Sequence, residues 1–175
     1  MGLNRNVFLI GFMGAGKSTV ARKMARSCGV SALDMDKYIE RNYGKSIPEI
    51  FDEGGEELFR RIETETLREL ANSKEPMLIS CGGGIVKSEE NRRLMKEGGT
   101  VVHLLVDADE AASRISDKSS RPLFNDIESA RRLCSERLPL YEDAADFTVP
   151  TGGRDLRDIS RQVKKYLIEE GILCQ

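Results

Sequence analysis

The residues best suited to chemistry begin at Gly11. The run Gly11-Phe12-Met13-Gly14-Ala15-Gly16-Lys17-Ser18-Thr19 has the form G-x-x-x-x-G-K-S, and its residue types say what it can do. Glycines at 11, 14 and 16 can take backbone angles closed to other residues, so successive N–H groups can turn inward on a polyphosphate. Lys17 can reach the terminal phosphates, and the Ser18 hydroxyl can ligate Mg²⁺. Such a loop needs a strand before it and a helix after it. Asn6 to Ile10 is apolar and β-rich, and Val20 to Arg26 is helix-forming. The helix N-terminus adds unpaired N–H groups and partial positive charge. A nucleoside triphosphate is therefore expected here, its phosphates bound by Gly14, Ala15, Gly16, Lys17, Ser18 and Thr19.

Other residues sit where their chemistry needs explaining. Asp34 and Asp36 follow a short apolar stretch. A carboxylate at a strand end can hold Mg²⁺, directly or through water, and a second can accept a proton from a hydroxyl acceptor. The plainer alternative is that both are strand-end and capping aspartates. Asp107, after the apolar run Val101 to Val106, rivals Asp34 for the metal. On a helix projection, Leu58, Phe59, Ile62, Thr66, Leu67 and Leu70 share one stripe, with Arg61, Glu65 and Arg68 opposite. Glu63 falls inside that stripe and needs a partner, which Arg60 is placed to be. The pair is either a buried structural bridge or a device in which Glu63 aims Arg60 at an anionic substrate. A later helix carries Ile127, Ala130, Cys134, Leu138 and Tyr141 on its apolar side, and Arg137 lies among them as a snorkelling or a ligand-facing arginine. Two inward arginines without a second acidic cluster suggest a small substrate bearing a carboxylate. Gly82-Gly83-Gly84 would let a substrate hydroxyl meet backbone N–H groups, or is a plain turn. Arg121, in a polar loop, is either solvated or neutralises charge on a transferring phosphoryl group as the loop closes.

The elements that must position these residues alternate. Strands are expected at Asn6–Ile10, near 31–34, at 77–81, at 100–106 and at 147–149. Between them lie helices near 17–28, 37–43, 46–53, 56–72, 88–98, 109–116 (capped by Asp109) and 127–141, and a last helix follows Asp155. Ser46 and Glu49 form a capping box, Gly54-Gly55 is a break, and Pro139 is a kink. Alternating strands and helices give a parallel α/β sheet covered on both faces, with ligands at the carboxyl ends of its strands. The phosphate loop, Asp34-x-Asp36, the three glycines and the segment after Val106 all fall at such ends, so they should converge.

At 175 residues and net charge −2, the chain reads as one domain with no field drawing it to nucleic acid or membrane. No apolar stretch approaches the roughly 20 residues that span a bilayer, and no signal peptide is evident. Cys28, Cys81, Cys134 and Cys174 lack C-x-x-C spacing, which fits free thiols in a reducing cytoplasm. His103, the only histidine, lies in an apolar strand and reads as a hydrogen-bonded core residue. Nothing demands more than a monomer.

Taken in order, GFMGAGKS at 11–18, DMD at 34–36, FRRIE at 59–63, GGG at 82–84, RPL at 121–123 and RLPLY at 137–141 resemble the shikimate kinase family over nearly the whole chain. The resemblance implies a P-loop fold with a five-stranded parallel sheet in the order 2-3-1-4-5. A lid (about 117–126) and a substrate-binding segment (about 34–63) would close over the site. It implies phosphorylation of the shikimate 3-hydroxyl by ATP with Mg²⁺, in aromatic amino acid biosynthesis. By motif, Asp36 holds the reacting hydroxyl and serves as base. Arg60 and Arg137 clamp the shikimate carboxylate, and Gly82 and Gly83 contact a hydroxyl. Lys17 and Arg121 stabilise the phosphoryl group, while Asp34 and Ser80 organise Mg²⁺ around Ser18. Arg114 and Arg154 are carried over to the adenine, where the pattern is weaker. Cys81 departs from the smaller or hydroxyl residue common before the glycines. Related kinases for gluconate or a nucleoside monophosphate are the nearest alternatives. A GTPase switch would want N-K-x-D, which the sequence lacks, and a degenerate pseudokinase would have lost one of Lys17, Asp36 or Arg121.

Overall fold

Strand β2 (Asn6–Ile10) is buried at every residue, as an uninterrupted apolar run predicts for the centre of a parallel sheet. The computed structural model describes residues 1–114 and 126–174. β2 pairs in parallel with β4 (Leu78–Ser80) on one side and β5 (Gly99–Leu105) on the other. β3 (Ala32–Asp34) pairs beyond β4, and β6 (Phe147–Pro150) beyond β5. The order β3-β4-β2-β5-β6, counted from β2, is the expected 2-3-1-4-5.

Helices α1 (Lys17–Cys28), α2 (Met35–Tyr43), α3 (Ile47–Ala71), α4 (Glu89–Gly98), α5 (Ala108–Arg114), α6 (Ile127–Ala144) and α7 (Leu156–Glu169) fill the connections. Their apolar faces close the core against the sheet with Val20, Met24, Ile39, Leu67, Met95, Ala111, Tyr141, Ile159 and Val163, all nearly inaccessible. Among the described residues no helix is long and apolar enough to cross a membrane.

Several local signals are realised as read. Ser46 and Glu49 form a reciprocal capping box at the start of α3. The Gly54-Gly55 break is a kink rather than a gap. Gly54 is non-helical and Gly55 sits at φ 67°, an angle a β-carbon would strain, so the chain re-enters helix after a kink. Phe59, Glu63, Leu67 and Leu70 are buried, with α3 packed against α2 and α4. Three points differ. Asp107, not Asp109, caps α5: its carboxylate accepts from the Glu110 N–H at 2.8 Å, while Asp109 bonds Arg131. Ile127 is exposed, and the buried stripe of α6 is instead Ala130, Arg137, Tyr141 and Ala144. A two-residue ribbon, β1 (Gly2–Leu3) with β7 (Leu173–Cys174), ties the ends of the chain together; two-residue strands carry too little periodicity to be read in sequence.

Candidate active site

The phosphate loop leaves the carboxyl end of β2 and delivers Gly16 as the N-cap of α1. No side chain caps that helix and no acid occupies its first turn, so its N-terminal field is left for an anionic ligand. The loop packs tightly on its neighbour. A β-carbon on Gly14, at φ +80°, would lie 2.7 Å from the Ala111 carbonyl oxygen, so glycine is required there by space as well as angle. The Lys17 ammonium bonds the carbonyls of Gly11 (2.7 Å) and Phe12 (3.1 Å), which holds it against the loop. Ala15 is fully buried beneath it, and the Thr19 hydroxyl meets Arg22 on the outer side of α1.

Three oxygen-bearing side chains meet beside Lys17. The Ser18 hydroxyl donates to Asp34 Oδ2 at 2.6 Å and lies 3.0 Å from the Ser80 hydroxyl. Sheet register makes the meeting: Asp34 is paired with Ser80, and Ser80 with Leu9. One carboxylate with two hydroxyls next to a phosphate loop suits Mg²⁺, which keeps several waters and takes further oxygens from phosphates. The same Asp34 also caps α2 through the Lys37 N–H. The alternative, Asp107, is turned to its capping bond on α5.

On the far side of Ser80 the chain runs Cys81-Gly82-Gly83-Gly84, and the candidate acceptor residues gather round these glycines. An added Gly82 β-carbon would lie 3.1 Å from both Asp36 Oδ1 and Glu63 Oε2, so two carboxylates flank that residue. Glu63 is only 1% exposed. Burial pushes its carboxyl above the usual range and the Asp36 charge adds to this, while Arg60 pulls it back. The Arg60 guanidinium bonds Glu63 Oε1 at 2.8 Å and Glu56 at 3.1 Å, and lies 5.1 Å from the Phe59 ring. Gly84 leaves room for it: a β-carbon there would sit 2.7 Å from Arg60 Cζ. Sequence reasoning grouped Gly84 with its neighbours but missed this steric dependence, which only tertiary placement reveals.

Arg137 reaches the same glycines from α6. Its Nη1 would be 3.7 Å from a Gly83 β-carbon, and the residue is 4% exposed. Its Nε is buried without a hydrogen-bond partner. An unmatched buried donor on a guanidinium costs free energy, and such donors are tolerated where a ligand supplies the acceptor. Cys81, where a smaller or hydroxyl residue is expected, is buried and its thiol is pushed up by that burial, as for a packing residue.

The two arginines assigned to the adenine are both tied to the 150–154 segment. Arg114 bonds Glu110, the Thr151 carbonyl (2.7 Å) and, at 3.4 Å, the Gly14 carbonyl, so it borders the phosphate loop. Arg154 bonds the Pro150 carbonyl and Gln162, on the loop that precedes α7. Arg121 and the expected lid at about 117–126, except for the α6 cap Asp126, lie outside the described residues. His103 is buried as expected but not fully hydrogen-bonded: Nδ1 has no partner, and the ring instead stacks on Tyr141 with centroids 5.0 Å apart.

The shikimate kinase family model matches residues 13–168. The curated shikimate kinase of Dictyoglomus turgidum is 36% identical over 172 residues, covering 96% of this chain and all of that one. That of Francisella tularensis subsp. novicida is 36% identical over 97% of this chain and 98% of its own. The solved shikimate kinase of Acinetobacter baumannii in complex with shikimate superposes with a TM-score of 0.89 at 35% identity, covering 95% of this chain and 94% of that one. The Aquifex aeolicus enzyme gives 0.82 at 32% identity, over 97% and 99% of the two chains. A gluconokinase from Sinorhizobium meliloti, at 19% identity and a TM-score of 0.64, shares the fold alone. Full-length identity, together with a phosphate loop facing a carboxylate-flanked glycine triplet and two inward arginines, places this chain in the shikimate kinase family.

Proposed function

We propose that this chain transfers the γ-phosphoryl group of ATP to the 3-hydroxyl of shikimate, giving shikimate 3-phosphate and ADP. The observation that carries this reading is the convergence of Arg60 and Arg137 on Gly82-Gly83-Gly84 beside the phosphate loop. One arginine is fixed by a buried glutamate and the other has an unmatched buried donor. That pairing suits a small, neutral-bodied acceptor carrying one carboxylate.

In this reading Asp36 accepts the proton of the 3-hydroxyl as its oxygen bonds the γ-phosphorus and the bond to the β–γ bridging oxygen breaks. Lys17 leaves its loop carbonyls to neutralise charge on the transferring group, and Arg121 assists it. Gly14, Ala15, Gly16, Ser18 and Thr19 hold the phosphates, while Arg114 and Arg154 border the adenine. Gly82 and Gly83 receive an acceptor hydroxyl. Ser18, Asp34 and Ser80 would hold Mg²⁺, whose role when bound is to neutralise phosphate charge. Residues 1–175 act as one domain, with about 34–63 as the acceptor segment and about 117–126 as the lid. The chain works as a cytoplasmic monomer, without nucleic-acid or membrane partners.

Phosphorus NMR of a reaction with ATP, Mg²⁺ and shikimate tests the assignment. A new phosphomonoester signal coupled to the C3 proton of shikimate is expected, and the same signal on another position would overturn the regiochemistry.

A further inference from the structure

Tyr141 contributes to the apolar stripe of α6, yet its hydroxyl is engaged in the site. The residue is 1% exposed, and its hydroxyl donates to the Gly83 carbonyl oxygen. Its ring stacks on His103 at an interplanar angle of 21°. His103 is paired in β5 opposite Ile10, the residue that leads into the phosphate loop. The same Gly83 also faces the loop on its other side: an added β-carbon would lie 3.5 Å from Met13 N and 3.6 Å from the Gly11 carbonyl. One helical turn before Tyr141, Arg137 approaches Gly83 from the same element. Gly83 is thus clasped between the phosphate loop and α6, and Tyr141 supplies the directional bond.

A phenylalanine would fill the same ring volume and keep the stack on His103, so packing does not account for the hydroxyl. What the hydroxyl adds is orientation. The peptide is planar and trans, so fixing the Gly83 carbonyl toward Tyr141 fixes the Gly84 N–H pointing the opposite way. Gly84 is the residue against which Arg60 lies.

We propose that Tyr141 is a positioning residue for the acceptor: by holding the Gly83 carbonyl it sets the direction of the Gly84 N–H and keeps that peptide in register with Arg137 on its own helix. The proposal rests on the acceptor site assigned above. Tyr141 acts through the Gly83–Gly84 peptide and through Arg137, whose side chain its hydroxyl also meets.

The test is Tyr141→Phe in the full chain, assayed for ADP release with shikimate and ATP varied separately. KM for shikimate should rise about tenfold, the effect of losing one hydrogen bond to the acceptor when the peptide that makes it is no longer held in place. The kcat and KM for ATP should stay within about twofold, the pattern of lost acceptor binding. Replacing Tyr141 by para-aminophenylalanine, which restores a donor at the same place, should recover most of the shikimate KM. An unchanged shikimate KM overturns the proposal. So does a parallel rise in both KM values, or a collapse of the melting temperature, because the hydroxyl would then serve the fold. If the unaltered protein releases no ADP with shikimate, the acceptor assignment itself falls, which separates that failure from this one.

Discussion

Adding one methyl group at Gly84 should dismantle half of the acceptor clamp without touching an arginine. Gly84 has φ −95° and ψ 0°, values open to alanine, so Gly84→Ala introduces no backbone strain. The new β-carbon would lie 2.7 Å from both Cζ and Nη1 of Arg60 and nearer still to Nη2. To reach ordinary contact at 3.4 Å from Nη2, which would lie at 2.3 Å, the guanidinium must retreat by about 1.1 Å, a displacement of the size that disables a positioned group. The atoms that must give way belong to the far end of a flexible side chain, so the fold accommodates the change. The retreat stretches the 2.8 Å bond to Glu63. Glu63, already held above the usual carboxyl range by burial, then loses part of the Arg60 charge that pulls it back. Losing one charge-assisted bond to the substrate carboxylate should raise the shikimate KM about ten- to a hundredfold. KM for ATP should hardly move, and the melting temperature should fall by only a few degrees. Steady-state ADP release with each substrate varied in turn, alongside a thermal melt, reads all three. A wild-type shikimate KM would refute the placement of Arg60, and equal losses for both substrates would show that Gly84 serves the fold alone.

Three further outcomes are expected. Lys17→Met should lower kcat by at least about a hundredfold, since it removes the cation that neutralises charge on the transferring group, with an unchanged circular dichroism spectrum; unaltered turnover contradicts the phosphate-loop assignment. Asp36→Asn should reduce turnover by about 10²- to 10⁴-fold while ATP still binds by calorimetry, and near-normal turnover removes Asp36 as base. His103 gives a pH effect on stability. Burial, helped by the Lys17 charge, lowers its imidazole from 6.5 to about 4. Between those values the unfolded chain binds the extra proton and the folded chain does not, so stability falls as the pH falls. From about pH 7 to about pH 4 this one residue should cost about 3 kcal/mol, and urea unfolding of His103→Phe should lack that part of the slope. An identical pH dependence in the two proteins would contradict it.

The fold was legible because its determinants are local and regular. The apolar run at 6–10, the capping box at Ser46, the paired glycines at 54–55 and the carboxylate of Glu63 on an apolar helix face each report their environment directly. Convergence of the phosphate loop, Asp34-x-Asp36 and the glycine triplet followed from the rule that parallel sheets gather ligands at strand ends, and the Asp34–Ser80 register realises it, Ser80 itself having come from the family resemblance. What sequence concealed depends on contacts distant along the chain. That Gly84 makes room for Arg60, and that the Tyr141 hydroxyl meets Gly83, have no periodicity to betray them. His103 looked like a satisfied core residue because its apolar neighbours are visible in sequence and its unmatched Nδ1 is not. Asp107 and Asp109 are two residues apart, and their exchange of capping roles is the ordinary uncertainty of a helix boundary.

The most direct test of the central claim is ADP release in the presence of ATP and Mg²⁺, measured with and without shikimate and then with gluconate or a nucleoside monophosphate in its place. Release that depends on shikimate, and falls to the background rate with the other acceptors, is the result predicted by the paired arginines at the glycine triplet. Release that depends on gluconate or a nucleoside monophosphate, with shikimate inert, would contradict it.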